Sequence, residues 1–272
     1  MAIHVFNGGG TQIHPVENIL HDPLTAWVLN KTSLADNRVV VVDIDEASLK
    51  DLGRWPWSRD QVSALFATLL QHYQVSLIGS DILFVDSTKE DSAPLAQVLA
   101  DPRILNALVW SPFSSERRGE FGSGASNVQV KSDSSADIPI ADGWLAPGFL
   151  KPSSHVAHIS PVVSEDGLVR QLAPIVCSRQ MECMESLPLG LYRMLLGEKP
   201  QYVLENKTWY LKSTVSLPVG AVEAHGFSWV SWTGYAKADM YVSAKDVLSQ
   251  RVDLNQLRGK VVIVGSTATG LY

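Results

Sequence analysis

The sequence predicts an α/β fold: a single domain with a mixed, partly parallel β-sheet flanked by helices, plus an antiparallel hairpin. Three observations carry this. Residues 38–45 and 75–85 are apolar runs with branched side chains on both faces, as in strands covered on both sides of a sheet. Between them, Val62, Leu65, Phe66, Leu69, Leu70 and Tyr73 recur at three-and-four spacing and form one helical stripe. Asp166-Gly167, between two strand-like runs, marks a hairpin turn.

The chain divides into a mixed N-terminal segment, 3–37, helical or extended, and a domain body, 38–272. In the segment, Gly8-Gly9-Gly10 interrupts any long element, and 15–29 suits a helix with Pro23 at a first-turn or break position. After the first strand, residues 46–52 make a helical turn ended by Gly53. The helix over 58–73 opens on a Ser58/Gln61 capping box, with Trp57 and Val62 spaced as a hydrophobic staple. Strand, helix and strand then form a right-handed parallel unit. A helix over 93–99 and a strand over 105–110 continue the alternation. Residues 111–137 hold eight serines and three glycines and read as a mobile loop. Strands follow at 156–163 and 168–176, a helix at 186–196, a strand at 228–232, a helix at 243–248 with a Ser243/Asp246 capping box, and a strand at 260–265.

Composition narrows the function classes. The 272 residues are 46% hydrophobic and 18% charged, enough apolar material for a core, so whole-chain disorder is excluded. No apolar run approaches the ~20 residues of a membrane helix, and residues 1–7 lack the basic and apolar regions of a secretory signal. Taken alone, this reads as a soluble protein. A net charge of −6 and a single adjacent basic pair, Arg117-Arg118 in the expected loop, argue against nucleic acid as a partner. Cys177 and Cys183 cannot supply a zinc set; they are small core or surface residues in a reducing compartment, or a hairpin disulfide in an oxidising one.

Candidate chemistry gathers at two places. Asp43 and Asp45 close the first strand, at the edge where open α/β sheets bind ligands. They resemble the opening motif of the haloacid-dehalogenase phosphohydrolases, in which the first aspartate is the nucleophile, the second an acid/base, and magnesium is held between them. The lysine and paired acids of that family do not follow, so the simpler role is structural, Asp45 capping the next helix and Asp43 ending the strand. The segment 53–59, Gly-Arg-Trp-Pro-Trp-Ser-Arg, places Arg54, Trp55 and Arg59 where a polar ligand or partner can meet them. Its Trp57, Pro56 and Ser58 are explained by helix entry alone. Asp81, in the second strand, is a candidate buried partner for Arg54 or Arg59, and Arg170 for Asp166. His155 and His158, three apart on a strand, point to opposite faces and do not make a metal pair.

Several segments taken together resemble the second class of CHASE domain. They are 39–49, Val-Val-Val-Val-Asp-Ile-Asp-Glu-Ala-Ser-Leu; the Gly-Arg-Trp-Pro-Trp-Ser-Arg segment; 80–84, Ser-Asp-Ile-Leu-Phe; 166–170, Asp-Gly-Leu-Val-Arg; and 257–268, which opens Leu-Arg-Gly-Lys-Val-Val-Ile-Val-Gly. The resemblance covers 38–272. It implies a periplasmic sensor of a bacterial inner-membrane receptor, anchored by helices outside this segment. The receptor would be dimeric and would control a cytoplasmic kinase, cyclase or cyclic-di-GMP enzyme. It also implies no cofactor, no metal and no catalytic residue here, with an unknown small-molecule or protein signal. The ligand-facing candidates are Asp43, Asp45, Arg54, Trp55, Arg59 and Asp81. The alternatives are the magnesium phosphohydrolase and a partner- or redox-sensing domain using Cys177 and Cys183.

Overall fold

A computed structural model describes residues 38–84, 93–111, 117–118, 128–133, 138–164, 166–213, 216–222, 226–230 and 240–268. The N-terminal segment 3–37 lies outside them. The chain begins with β1 (Val39–Asp43), α1 (Glu46–Leu52), α2 (Arg59–Gln71), β2 (Leu77–Ser80), α3 (Ala93–Leu99) and β3 (Ile104–Ser111). Short strands follow: β4 (Arg117–Arg118), β5 (Gln129–Ser132), β6 (Gly143–Leu145), β7 (His155–His158), β8 (Pro161–Val163), β9 (Val169–Leu172), β10 (Ile175–Cys177) and β11 (Cys183–Glu185). Then come α4 (Leu187–Leu195), β12 (Gln201–Glu205), β13 (Thr208–Leu211), β14 (Leu217–Ala221), β15 (Ser228–Trp229), β16 (Tyr241–Ser243), α5 (Ala244–Leu248), α6 (Leu254–Leu257) and β17 (Val261–Gly265).

The principal sheet has eight strands. Six run parallel in the order β16-β1-β17-β2-β3-β7, and β6 joins β3 antiparallel with β4 beside it. The mixed, partly parallel α/β architecture read from the sequence is the one observed. The late strand β17 lies between the early strands β1 and β2.

Alternation along the strands sorts side chains into two layers. Val40, Val42, Ile78, Val262 and Val264 face one way, into the largest core cluster, where α2, α3, α5 and α6 contribute Val62, Leu65, Phe66, Leu95, Val247 and Leu257. On the other face α4 packs on β2, β3 and β7 through Leu187 and Leu191. Gly79 makes room for it: a Cβ there would stand 2.7 Å from Leu191 Cδ1.

The elements start and stop as the sequence implies, with local differences. Asp45 caps α1 and Gly53, at φ +99°, ends it. Ser58 Oγ accepts from Gln61 N at 3.2 Å, but the Gln61 amide turns to Leu52 O at 3.5 Å, so the expected capping box is only half built. Trp57 and Val62 are both buried in one cluster, as a staple requires. The second strand is shorter than 75–85, closing at Ser80.

Of the expected 111–137 loop, residues 112–116, 119–127 and 134–137 lie outside the described residues, and the described ones include strands. Ser111 ends β3, Arg117–Arg118 is a strand, and Gln129–Ser132 pairs in parallel with β12. Strand pairing there is set by distant partners, which a serine-rich composition does not reveal. β5 joins β12, β13 and β14 in a four-stranded sheet, while β8, β9 and β15 make a three-stranded one and β10 and β11 a hairpin.

Candidate functional site

The carboxyl edge of the parallel sheet gathers polar side chains from four strands, but most of them bind their own chain. Asp43 is buried and its two oxygens accept from Thr267, one from the backbone N–H at 2.8 Å and one from the hydroxyl at 2.5 Å. It clamps the turn after β17. Asp45 Oδ1 accepts from Ser48 N at 2.7 Å, the helix cap, and from Ser243 Oγ at 2.9 Å. Partial burial opposes its charge, but the hydrogen bonds from Ser48 and Ser243 and the nearby Lys245 ammonium outweigh it and lower its pKa.

Ser243 therefore does not cap α5, contrary to the capping-box expectation; its hydroxyl is held by Asp45 and by Ser48 Oγ at 2.9 Å. The Ser48 hydroxyl takes over, accepting Lys245 N at 3.1 Å, so a residue of α1 caps α5. Lys245 closes the joint through an ion pair with Asp51 at 2.8 Å. The two aspartates singled out in the sequence thus form a hydrogen-bonded seam between the first and last parts of the chain.

Asp81 stands one residue past β2, above Gly265, where a Cβ would lie 3.6 Å from its Oδ2. It is exposed rather than buried, and no cation or donor among the described residues pairs with it. Surrounding protein still desolvates it enough to push its carboxyl up to about 6. The expected pairing with Arg54 or Arg59 is corrected by these positions. Arg59, at the start of α2, instead places its guanidinium 4.8 Å from the Phe84 ring centroid and 5.3 Å from that of Phe149. Those rings meet edge-on at 5.9 Å.

The remaining loop residues divide as the helix-entry reading suggests. Trp57 is buried and its indole N–H donates to Gly53 O at 2.9 Å. Trp55 is half-buried on the core, 6.0 Å from Trp57, and Arg54 is exposed. The Trp55-Pro56 bond is cis. Arg54, Trp55 and Arg59 therefore form a cationic, aromatic rim at the entry to α2, apart from the Asp43–Asp45 seam.

Cys177 and Cys183 are directly opposed in the β10–β11 hairpin and joined by a disulfide, both buried. His155 is half-buried and His158 fully buried, and desolvation drives His158 down to about 4, so it is neutral. Among the described residues no cluster of histidine, cysteine, aspartate or glutamate can hold a metal ion. Arg170 grips Asp166 through both oxygens at 2.8 and 2.7 Å, and this pairing lowers Asp166 to about 2. Arg117 of β4 lies 4.2 Å from the Trp144 ring centroid and 3.4 Å from Glu182, an ion pair that stays exposed.

The sequence reading missed a buried polar hub. Glu185, at the end of β11, receives Arg193 Nε at 3.0 Å and Nη2 at 2.6 Å, together with the Tyr202 hydroxyl, and Arg193 Nη1 donates to Glu198 O at 3.1 Å. Burial works against the Arg193 charge, but the Glu185 carboxylate more than offsets it and its pKa rises. Burial, and then the same carboxylate, raise Tyr202. Gly190 leaves the space: a Cβ would stand 3.0 Å from Glu185 Oε1 and 2.6 Å from Leu105 Cδ2. The available signal was a lone arginine on the buried stripe of an otherwise apolar helix.

The parallel sheet, whose strand-end carboxylates Asp43 and Asp45 hold its own turns and caps, and the separate cationic aromatic rim belong to an α/β module. A family model, the CHASE2 domain, matches residues 1–272, and the chain belongs to that family of extracellular sensor domains of signalling receptors. Comparisons with curated proteins and with solved structures returned no match. No helix among the described residues is long and apolar enough to cross a membrane.

Proposed function

We propose that this chain is the periplasmic sensory domain of a bacterial inner-membrane receptor, acting as a homodimer and controlling a cytoplasmic output enzyme. The observation that carries the reading is the match of the sensor-domain family over the whole chain. The receiving surface is the rim formed by Arg54, Trp55 and Arg59. Exposed and half-buried cation and indole groups there suit a polar or anionic small molecule, or a protein partner. The signal shifts the populations of two domain arrangements, which membrane helices transmit. The seam from Asp43 and Asp45 to Thr267 and Ser243 supports this mechanically, since it ties the first strand to the last.

The test places the domain in a receptor with a measurable output and exchanges it for an unrelated folded domain. Output that no longer responds to any stimulus sensed by the parent supports the reading; output that ignores the exchange refutes it. A thermal-shift screen identifies ligands by the rise they cause in apparent stability. Hits lost on Trp55→Ala and Arg54→Ala together map to the rim.

A further inference from the structure

We infer that His155 and the hub of Glu185, Arg193 and Tyr202 form an acid-sensitive joint, in which a proton on His155 loosens the hold of the principal sheet on α4 and the outer strands. His155 opens β7, the strand that packs on both β11 and α4. Its neighbour in register on β3 is Leu105, which lies against Gly190 of α4 together with Glu185 Oε1. Alternation puts Ala157 on the same face of β7 as His155, and Ala157 packs with Leu187 and Leu191 of α4. The hub thus draws on the hairpin end through Glu185, on α4 through Arg193 and on β12 through Tyr202, with β7 against it. His155 is half-buried, so a proton from solvent can reach it.

The carboxylate at the centre has no room for a second cation. Its two oxygens offer about four acceptor sites. Arg193 Nε donates toward both, at 3.1 and 3.0 Å, Arg193 Nη2 donates to Oε1 at 2.6 Å, and the Tyr202 hydroxyl donates to Oε2. The charges acting on His155 are Arg193, which repels a proton there, and Glu185, which attracts one. β3 carries no charge, β11 none but Glu185, and α4 none but Arg193, its Tyr192 being turned to solvent. His158 of β7 lies on the opposite face. Desolvation, and then Arg193, outweigh Glu185 and hold His155 below the ordinary 6.5. An imidazolium here therefore adds a charge that the hub cannot pair. The stability tied to this group is complete above about 6.5 and is lost as the pH falls from there toward the lowered value. The joint responds to acid whatever the rim of Arg54, Trp55 and Arg59 receives.

Two measurements on the intact chain test it. Hydrogen exchange of the α4 and β12 amides, corrected for the intrinsic effect of pH, is followed from about pH 7.5 to about pH 5.5. Opening is expected to rise at least about threefold more in the parent than in His155→Gln, which keeps a polar side chain but takes up no proton. Equal responses overturn the inference. The His155 imidazole is also titrated by NMR, in the parent and in Tyr202→Phe, which frees one acceptor site of Glu185. The parent is expected to titrate below 6.5, and the variant to bind its proton at least about twofold more tightly. A parent midpoint at or above 6.5, or an unchanged proton affinity in the variant, overturns the inference.

Discussion

Replacing Glu185 by Gln removes the negative charge from the hub while keeping its shape. In the native fold both carboxylate oxygens face donors, Arg193 through Nε and Nη2, and Tyr202 through its hydroxyl. With Gln, the Arg193 cation keeps one neutral acceptor, Glu198 O, and at most one amide oxygen, in a site where Arg193 is 9% exposed and Glu185 2%. Removing one partner of a buried pair costs about 3–5 kcal/mol, because the other charge remains desolvated. Against a total stability of about 5–15 kcal/mol, that is a large share. Guanidinium unfolding followed by tryptophan fluorescence, without reductant, measures it. The triple replacement Glu185→Leu, Arg193→Met and Tyr202→Phe removes all three polar groups together and is expected to cost less than Glu185→Gln alone. A single-variant loss under about 1 kcal/mol, or a triple variant costing the sum of its parts, would refute the buried-pair account.

Asp81 has a folded pKa near 6, above the 3.8 of an ordinary aspartate, so the folded state holds its proton more tightly and stability falls as pH rises through that window. Asp81→Asn is therefore expected to melt higher than the parent above pH 6 and equally near pH 3.5; a difference independent of pH contradicts this. Asp43→Ala removes both acceptors for Thr267 and is expected to lose about 2–3 kcal/mol in urea unfolding, with Asp43→Asn milder. Gly190→Ala drives a methyl between Leu105 and Glu185 and is expected to lose about 1–3 kcal/mol; an unchanged midpoint would mean that the neighbours yield freely. Converting both Cys177 and Cys183 to Ala opens a loop of separation six and is expected to cost about 2 kcal/mol by chain entropy, read from the denaturation midpoint.

Local rules made most of the parallel sheet legible. The Val39–Asp43 strand, the α2 stripe, the Ser58 cap and the Asp45 cap are each set by neighbours within a few residues. What escaped depends on distant partners. β5 is a strand because β12 lies beside it, and Ser243 abandons α5 because Asp45 and Ser48 stand opposite, about two hundred residues earlier in the chain. Asp81 was placed inside a strand that closes one residue sooner, and its side chain is exposed rather than buried in the sheet. The Glu185 hub required knowing that a hairpin end, a helix and an outer sheet converge.

The position of β17 has a consequence for how the domain is made. Its strand fills the slot between β1 and β2, and the Ser266 hydroxyl just beyond it bonds Ile44 O across 222 residues. Until that strand is synthesised, β1 and β2 each present an unpaired apolar edge and the sheet is open at its centre. The domain must wait for the last of its described strands before its middle closes. A ribosome stall or proteolytic nick before residue 261 would leave an adhesive intermediate, not a smaller working domain.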